Sequence, residues 1–279
     1  MSAFELTLVL GGGSLVAGFL GALTGLGGGV VIVPLLTLGL GVDIRYAIGA
    51  SLVSVIATSS GAASAYVREG FSNIRIGMLL EIATSIGALC GAYLAGIVST
   101  RAIGITFGAV LLYSAFQSIR PPRETPCEED RPGGLATFFK LHGSFPAPGG
   151  PKRYCVEHVP AGFGLMFGAG TLSGLLGIGS GALKVVAMDR VMRIPFKVSA
   201  TTSNFMIGVT AAASAGVYFN RGYIDPALAM PVMLGVLVGS LTGTRFLVAA
   251  RTRHLRVIFA GVILILAVEM IYNAAGGRL

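Results

Sequence analysis

The sequence predicts an all-α polytopic membrane protein: two homologous repeats of about four transmembrane helices each, with Gly-rich broken or re-entrant segments. Three observations carry this reading. Of the 279 residues, 54% are hydrophobic and only 11% charged, whereas an average soluble domain is about a quarter charged. The charges gather in short clusters, leaving apolar windows longer than the roughly 20 helical residues that cross a hydrocarbon core. Adding 152 to a position in the first half reaches its counterpart in the second, without a gap from Gly18 to Leu112.

The elements follow in order. Residues 4–41 are apolar apart from Glu5, and Gly27, Gly28, Gly29 and Pro34 fall inside this run. At 1.5 Å per residue such a run would span about 57 Å, too long for one straight crossing, and glycine and proline mark where a helix breaks. No basic segment precedes the first apolar residues, so this run is expected to be a retained helix, not a cleaved signal peptide. A corner at Asp43 and Arg45 leads to apolar runs at 47–67, 76–98 and 102–119, which complete a first transmembrane repeat over residues 1–119. Residues 120–159 are loop chemistry, with Pro121-Pro122, Glu128-Glu129-Asp130 and Pro148-Gly149-Gly150-Pro151. They form a polar linker, expected on the surface, with one short amphipathic piece near Leu135–Leu141. Apolar runs at 160–188, 196–219, 226–249 and 255–274 make the second transmembrane repeat, residues 160–279. The runs predict eight spans.

The register of the repeat is fixed by polar matches as well as by small residues. Gly25, Gly27 and Gly29 meet Gly177, Gly179 and Gly181; Ser51 meets Ser203, Thr58 meets Thr210, Tyr66 meets Tyr218, and Thr100-Arg101 meets Thr252-Arg253. Basic residues divide ten against ten between the two sides of an eight-span topology, so the positive-inside rule gives no orientation. The repeats could lie parallel or inverted.

Several function classes are disfavoured. The formal charge of +8 is dispersed over loops, with no basic stripe interleaved with aromatics, so no nucleic-acid partner is expected. No Walker-type loop is present, and Ser180 has no base beside it in the sequence, so no enzyme is expected. No cofactor and no metal site is called for: His142 and His158 near Cys127 and Cys155 fit no zinc spacing. Cys90 reads as a packing residue. Cys127 and Cys155 could pair in an oxidising compartment, with two free thiols the favoured reading.

The chemistry concentrates in a doubled glycine element, Thr24-Gly-Leu-Gly-Gly-Gly-Val-Val-Ile-Val-Pro34 and Leu176-Gly-Ile-Gly-Ser-Gly-Ala-Leu-Lys-Val-Val186. Backbone that leaves the helix inside a bilayer survives only within protein or around a cavity. Broken helices at matching places in two repeats point to a transporter's midplane site, where their N-termini favour anions. Gly27, Gly28, Gly29, Gly179, Ser180 and Gly181 are the backbone candidates. Gly87 and Gly91, with Gly239 and Gly243, read instead as close helix packing. Thr201, Thr202, Ser203 and Asn204, with the repeat partner Ser51, supply hydroxyl and amide donors at an expected helix start, where they could bind an oxyanion or cap the helix. Lys184 could balance an anion's charge, or snorkel to an interface near Asp189 and Arg190. Glu81 and Glu269 lie in apolar runs, as proton relays or as snorkelling acids. Glu269 has a polar repeat partner in Gln117, which argues for both facing protein.

These motifs together resemble the TauE/SafE family of sulfite exporters. The resemblance rests on Gly25-Leu-Gly-Gly-Gly with Pro34, on Gly177-Ile-Gly-Ser-Gly with Lys184, on Pro195-Phe-Lys-Val-Ser-Ala-Thr-Thr-Ser-Asn-Phe-Met-Ile-Gly-Val-Thr210, and on Tyr218 with Gly222. It covers nearly the whole chain except the linker, which is longer and more polar than the family needs. It departs at Ser180, where the first element has Gly28, and at Val186, where the first has Pro34. The resemblance implies a permease moving sulfite, sulfonates or related organic anions by secondary transport across a bacterial cytoplasmic membrane. The expected partners are a small anionic substrate and the lipid bilayer; a coupling proton or sodium ion and a homo-oligomer are compatible with it. The alternative is a non-transporting membrane scaffold or assembly factor.

Overall fold

The computed structural model describes residues 3–24, 28–68, 72–119, 135–147, 150–249 and 252–277. Eleven helices and one hairpin are present among them. Helix α1 (Ala3–Thr24) is followed by the short α2 (Gly29–Pro34), which runs into a π-helical turn at Leu35–Gly39. Then come α3 (Ile44–Arg68), α4 (Ile74–Leu94) and α5 (Thr100–Ile119). After the linker, α7 (Val159–Leu176), α8 (Gly181–Val186) with a π turn at Ala187–Val191, α9 (Phe196–Asn220), α10 (Pro226–Ala249) and α11 (Thr252–Ala275) repeat that order. The bounds keep the 152-residue spacing: α2 and α8, the two π turns, and α3 and α9 coincide at both ends under it.

Local chemistry explains these limits. Asn73 sits in extended backbone, and its side chain accepts from the Ile76 N–H at 3.1 Å, capping α4. At the same place in the other half, Asp225 accepts from Ala227 N–H at 2.8 Å, with Pro226 opening α10 at the position where a missing N–H costs nothing. Gly177 ends α7 in the left-handed region, with φ of 67°, and its N–H returns to the Ser173 carbonyl at 2.8 Å. Pro34 invites the view that proline forces the π turn after it. The second half forms the same turn after Val186, so proline is not required for it.

The two halves interlock. The most extensive packing joins α1 to α10, α4 to α7, α5 to α11 and α3 to α9, each pair crossing between halves. Glycines make the approach possible. A Cβ on Gly87 or Gly91 would strike the Phe167 or Thr171 carbonyl of α7, and one on Gly239 would strike the Leu15 carbonyl of α1. Arg221, at the end of α9, donates to the Ala92 and Tyr93 carbonyls at 3.2 and 3.0 Å, closing the C-terminus of α4.

The outside of the bundle is apolar. Met78, Ile82, Ile86, Leu89 and Tyr93 form an exposed stripe along α4, and Met230, Leu234, Val238 and Leu241 form one along α10 at the same offset. Three described helical stretches, Ile74–Leu94, Val159–Leu176 and Pro226–Gly243, are long and apolar enough to cross a membrane, and five shorter apolar stretches accompany them. A chain with such an exterior is a membrane protein.

The linker is more ordered than expected of a polar loop. Its amphipathic piece is α6 (Leu135–Phe138), and it adds an antiparallel hairpin of β1 (Gly143–Ala147) and β2 (Gly150–Tyr154), so the chain is not purely helical. Leu141, Tyr154 and Val156 pack with Ile76, Leu80, Met192 and Met206 into a second apolar cluster against the core helices. The Tyr154 hydroxyl accepts from Asn73 Nδ2 at 2.7 Å, tying the hairpin to the cap of α4. Burial raises the Tyr154 phenol above its ordinary value, and the Asn73 bond works against that shift. Cys155 is disulfide-bonded, which corrects the reading of two free thiols; Cys127 lies outside the described residues.

Candidate functional site

The two glycine elements meet inside the molecule. A Cβ placed on Gly29 would lie 2.6 Å from Ser51 Oγ and 3.1 Å from the Gly177 carbonyl. Only a residue without a side chain allows that approach. Ser51, buried on α3, donates from Oγ to the same Gly177 carbonyl at 2.8 Å, so a first-half hydroxyl satisfies an acceptor freed by the second-half break. Gly28 lies against Val236, and Gly179, at φ of 70°, lies against Ile207 and Val55. Gly27 lies outside the described residues.

The break itself is asymmetric. Ser180 takes the left-handed conformation, with φ of 46°, whereas its counterpart Gly28 is right-handed at φ of −66°. A serine in that region is uncommon and held there by its surroundings. Its Oγ is buried and has no hydrogen-bond partner among the described residues. Ser180 and Gly181, with Ile178 and Leu183, face Val30, Val110 and Ser114 across a small, partly open crevice between the halves.

Lys184 carries the largest departure from ordinary burial. It is fully buried, and its Nζ donates to Thr210 Oγ1 of α9 at 2.5 Å. This overturns the snorkelling reading of Lys184. Thr210 Oγ1 is in turn 2.7 Å from Glu81 Oε1 of α4 and 2.9 Å from the Met206 carbonyl, and its single proton serves one of these. Ser85 Oγ donates to the same Glu81 Oε1 at 2.9 Å, while Glu81 Oε2 is buried without a partner among the described residues. Glu81 therefore faces protein and does not snorkel. Glu269 does the opposite: it is exposed on α11, against the expectation drawn from Gln117, whose side chain is outside the described set.

Under the 152-residue offset Lys184, Thr210 and Glu81 correspond to Ile32, Thr58 and Met233. The charged network joins the two halves, with Glu81 from the first and Lys184 and Thr210 from the second, whereas the repeat-related positions of the two charges carry apolar side chains. Thr58 turns its hydroxyl back on its own helix, to the Ser54 carbonyl at 3.1 Å.

The Thr201–Asn204 stretch is not at a helix start. Helix α9 begins at Phe196 with Pro195 before it, so these residues fill the second turn and cap nothing. They also point apart. Ser203 Oγ donates to the Gly181 carbonyl at 3.3 Å and belongs to the break. Thr202 Oγ1 accepts from the Asn73 N–H at 3.1 Å, anchoring the α4 cap. Thr201 bonds the Lys197 carbonyl of its own helix at 2.9 Å, and the half-buried Asn204 side chain has no hydrogen bond among the described residues.

Sequence reasoning left Thr210 out of the site, although it is the bridge. The signal that could have found the network is charge: Lys184 and Glu81 are opposite charges in apolar runs of different helices, and such residues pair.

No solved structure matches this chain. Curated relatives do. It is 27% identical over 278 residues to the "Probable membrane transporter protein YunE" of Bacillus subtilis (strain 168), covering 97% of this chain and 98% of the relative. It is 25% identical to the "Probable membrane transporter protein YdhB" of the same organism, covering 83% and 85%. A "Probable membrane transporter protein" of Xylella fastidiosa (strain 9a5c) is 24% identical over 98% of both chains. The sequence model described as "Sulfite exporter TauE/SafE" matches residues 10–270, nearly the whole chain, and the protein belongs to that family.

Proposed function

We propose that this protein is a secondary transporter that moves a small anion, of the sulfite or sulfonate class, across the cytoplasmic membrane by alternating access. The observation that carries the reading is Lys184: a fully buried cation on the broken second element, held by Thr210 in a membrane interior. Ionisable groups are costly at that depth and persist where they serve a substrate or ion path. The family match and the names of the relatives support transport as the class.

The matching element bounds and the reciprocal helix pairs support a duplicated architecture whose halves move against one another around the two breaks. In the conformation described, the path is shut: Gly29 lies against Gly177, and Ser51 and Ser203 are committed to backbone carbonyls of the second element. Opening would free those hydroxyls and the Ser180 Oγ for the anion, with Lys184 as counter-charge. A scaffold would need dry contacts only, and a buried serine hydroxyl without a partner among the described residues, beside the crevice between the halves, favours transport over it.

Flux of labelled sulfite in proteoliposomes tests the reading. Saturable, protein-dependent flux that falls in Lys184→Ala and Ser203→Ala is expected. Unchanged flux in both variants would show the proposed site to be wrong. A screen of anions for thermal stabilisation of the purified protein identifies the substrate, since a ligand of the folded state raises its apparent stability.

A further inference from the structure

We propose that Glu81 is a resident counter-anion that competes with the transported anion for Lys184, and that the displaced carboxylate takes up the proton that travels with it. This rests on the transport reading above and assigns its coupling ion, coupling residue and substrate charge.

The network has one cation and one acid. Lys184 reaches Glu81 only through the Thr210 hydroxyl, so the ammonium is held by a neutral oxygen with a carboxylate behind it. Glu81 is unevenly satisfied: Oε1 receives Ser85 and lies beside Thr210, whereas Oε2 is buried with no partner among the described residues. A bare buried carboxylate oxygen is costly while the group is charged, and a proton on it removes that cost.

Among the described residues, no other ionisable group is hydrogen-bonded to Lys184, Thr210 or Glu81. Helix α7, packed along α4, has no acidic, basic or histidine side chain between Val159 and Leu176. On α9 the titratable groups are Lys197, near its start and exposed, and Tyr218, near its end and bonded to the Gly174 carbonyl at 3.2 Å. Besides Glu81, α4 carries Arg75 at its exposed start and Cys90 and Tyr93 toward its end. The hairpin brings Tyr154 to Asn73 at the cap of α4. Next to α8, the π turn holds Asp189 and Arg190, and α5 holds Arg101 and Tyr113 at its own positions. Against Lys184 itself stands the charge of Glu81.

The charge count then fixes the stoichiometry. With the site empty, Lys184 and Glu81 sum to zero. A monovalent anion entering beside Lys184 leaves one uncompensated negative charge in a dry interior, which is prohibitive unless something neutralises it. Protonation of Glu81 at Oε2 from the open side forms one O–H bond and restores zero. On release to the other side, the anion leaves, the O–H bond breaks, the proton follows and Glu81 returns to Lys184. One anion and one proton move together, no net charge crosses, and a monoanion is preferred over a dianion. The apolar Ile32 and Met233 at the matching places mean that the cycle runs through one of the two repeat-related positions alone, where the halves meet at Thr210.

The test uses the full chain and methanesulfonate, a permanent monoanion that carries no proton of its own. In proteoliposomes with a trapped pH indicator, an inward gradient of labelled methanesulfonate is expected to acidify the lumen, one proton per anion, at a rate unaffected by clamping the membrane potential. In detergent, its thermal stabilisation of the protein is expected to weaken as pH rises, because binding takes up a proton. Glu81→Gln mimics the protonated acid and is expected to lose that pH dependence. Anion flux without proton flux, or unchanged pH dependence in Glu81→Gln, overturns the coupling proposal while leaving transport standing. If the wild type neither moves nor is stabilised by methanesulfonate or sulfite, the transport reading itself fails and the proposal falls with it.

Discussion

At the scale of the residue, Lys184 and Glu81 decide the behaviour of the core. Removing one partner of a buried charge pair costs about 3–5 kcal/mol, because the other is left uncompensated, whereas replacing both by apolar groups of similar size is often neutral or stabilising. The molecule already contains the apolar version, in Ile32 and Met233 at the corresponding positions. Lys184→Ile alone and Glu81→Met alone are therefore expected to lower the apparent melting temperature in detergent. The double variant is expected to recover most of that loss. A double variant no more stable than the worse single one would mean that the two residues do not act as a pair. Both charges were visible in the sequence as exceptions within apolar runs. Their pairing was not, since α4 and α8 are brought together by the packing of α7 and α9 against both. The Thr201–Asn204 stretch was misplaced for a local reason: Pro195 already marks the helix start, and the polar residues lie a turn and a half beyond it.

At the scale of the element, the glycine breaks combine two functions that residue type alone does not separate. Gly29→Ala would put a Cβ 2.6 Å from Ser51 Oγ and 3.1 Å from the Gly177 carbonyl. It is expected to lower both stability and flux. Gly11→Ala meets nothing within 4 Å, and in a helix interior it is expected to be neutral or to stabilise by about 0.5–1 kcal/mol. Equal effects of the two substitutions on thermal stability would remove the argument that the breaks touch. The offset of 152 residues made both breaks legible in the sequence, and the close-packing role of Gly87, Gly91 and Gly239 was legible as well. The left-handed Ser180 was not, because nothing in a serine announces positive φ.

The linker adds an element of its own. The Tyr154 phenol has its pKa raised in the folded chain by burial. Its contribution to stability is present below the unfolded value of about 10 and is lost as pH rises through the folded value. Alkaline unfolding monitored by near-ultraviolet circular dichroism is expected to shift to higher pH in Tyr154→Phe. An unchanged alkaline midpoint would show that the phenol does not contribute. The Gly and Pro residues of the linker hid the hairpin, whose pairing runs from Gly143 opposite Tyr154 to Ala147 opposite Gly150.

For the whole molecule, the apolar stripes on α4 and α10 define the surface that meets lipid. Ile86, exposed near the middle of α4, is a direct probe. Ile86→Arg is expected to cost about 2.5–3.5 kcal/mol of insertion, read as loss of the protein from the alkali-washed membrane fraction, with Ile86→Ala as the tolerated control. Equal recovery of both would place this face away from lipid. Membrane residence was the most legible property of all, since it is a sum over composition. The interlocking of the halves was not, because α1 pairs with α10 and α4 with α7 across long stretches of intervening chain.

The central claim is that a buried cation on a broken helix gives this membrane protein an anion path. The most direct measurement is labelled sulfite flux in proteoliposomes containing the Lys184→Ile, Glu81→Met double variant beside wild type, with folding of both checked by thermal melting. Saturable flux in wild type and only the protein-free rate in a folded double variant is the expected result. Wild-type flux in the double variant would contradict the claim.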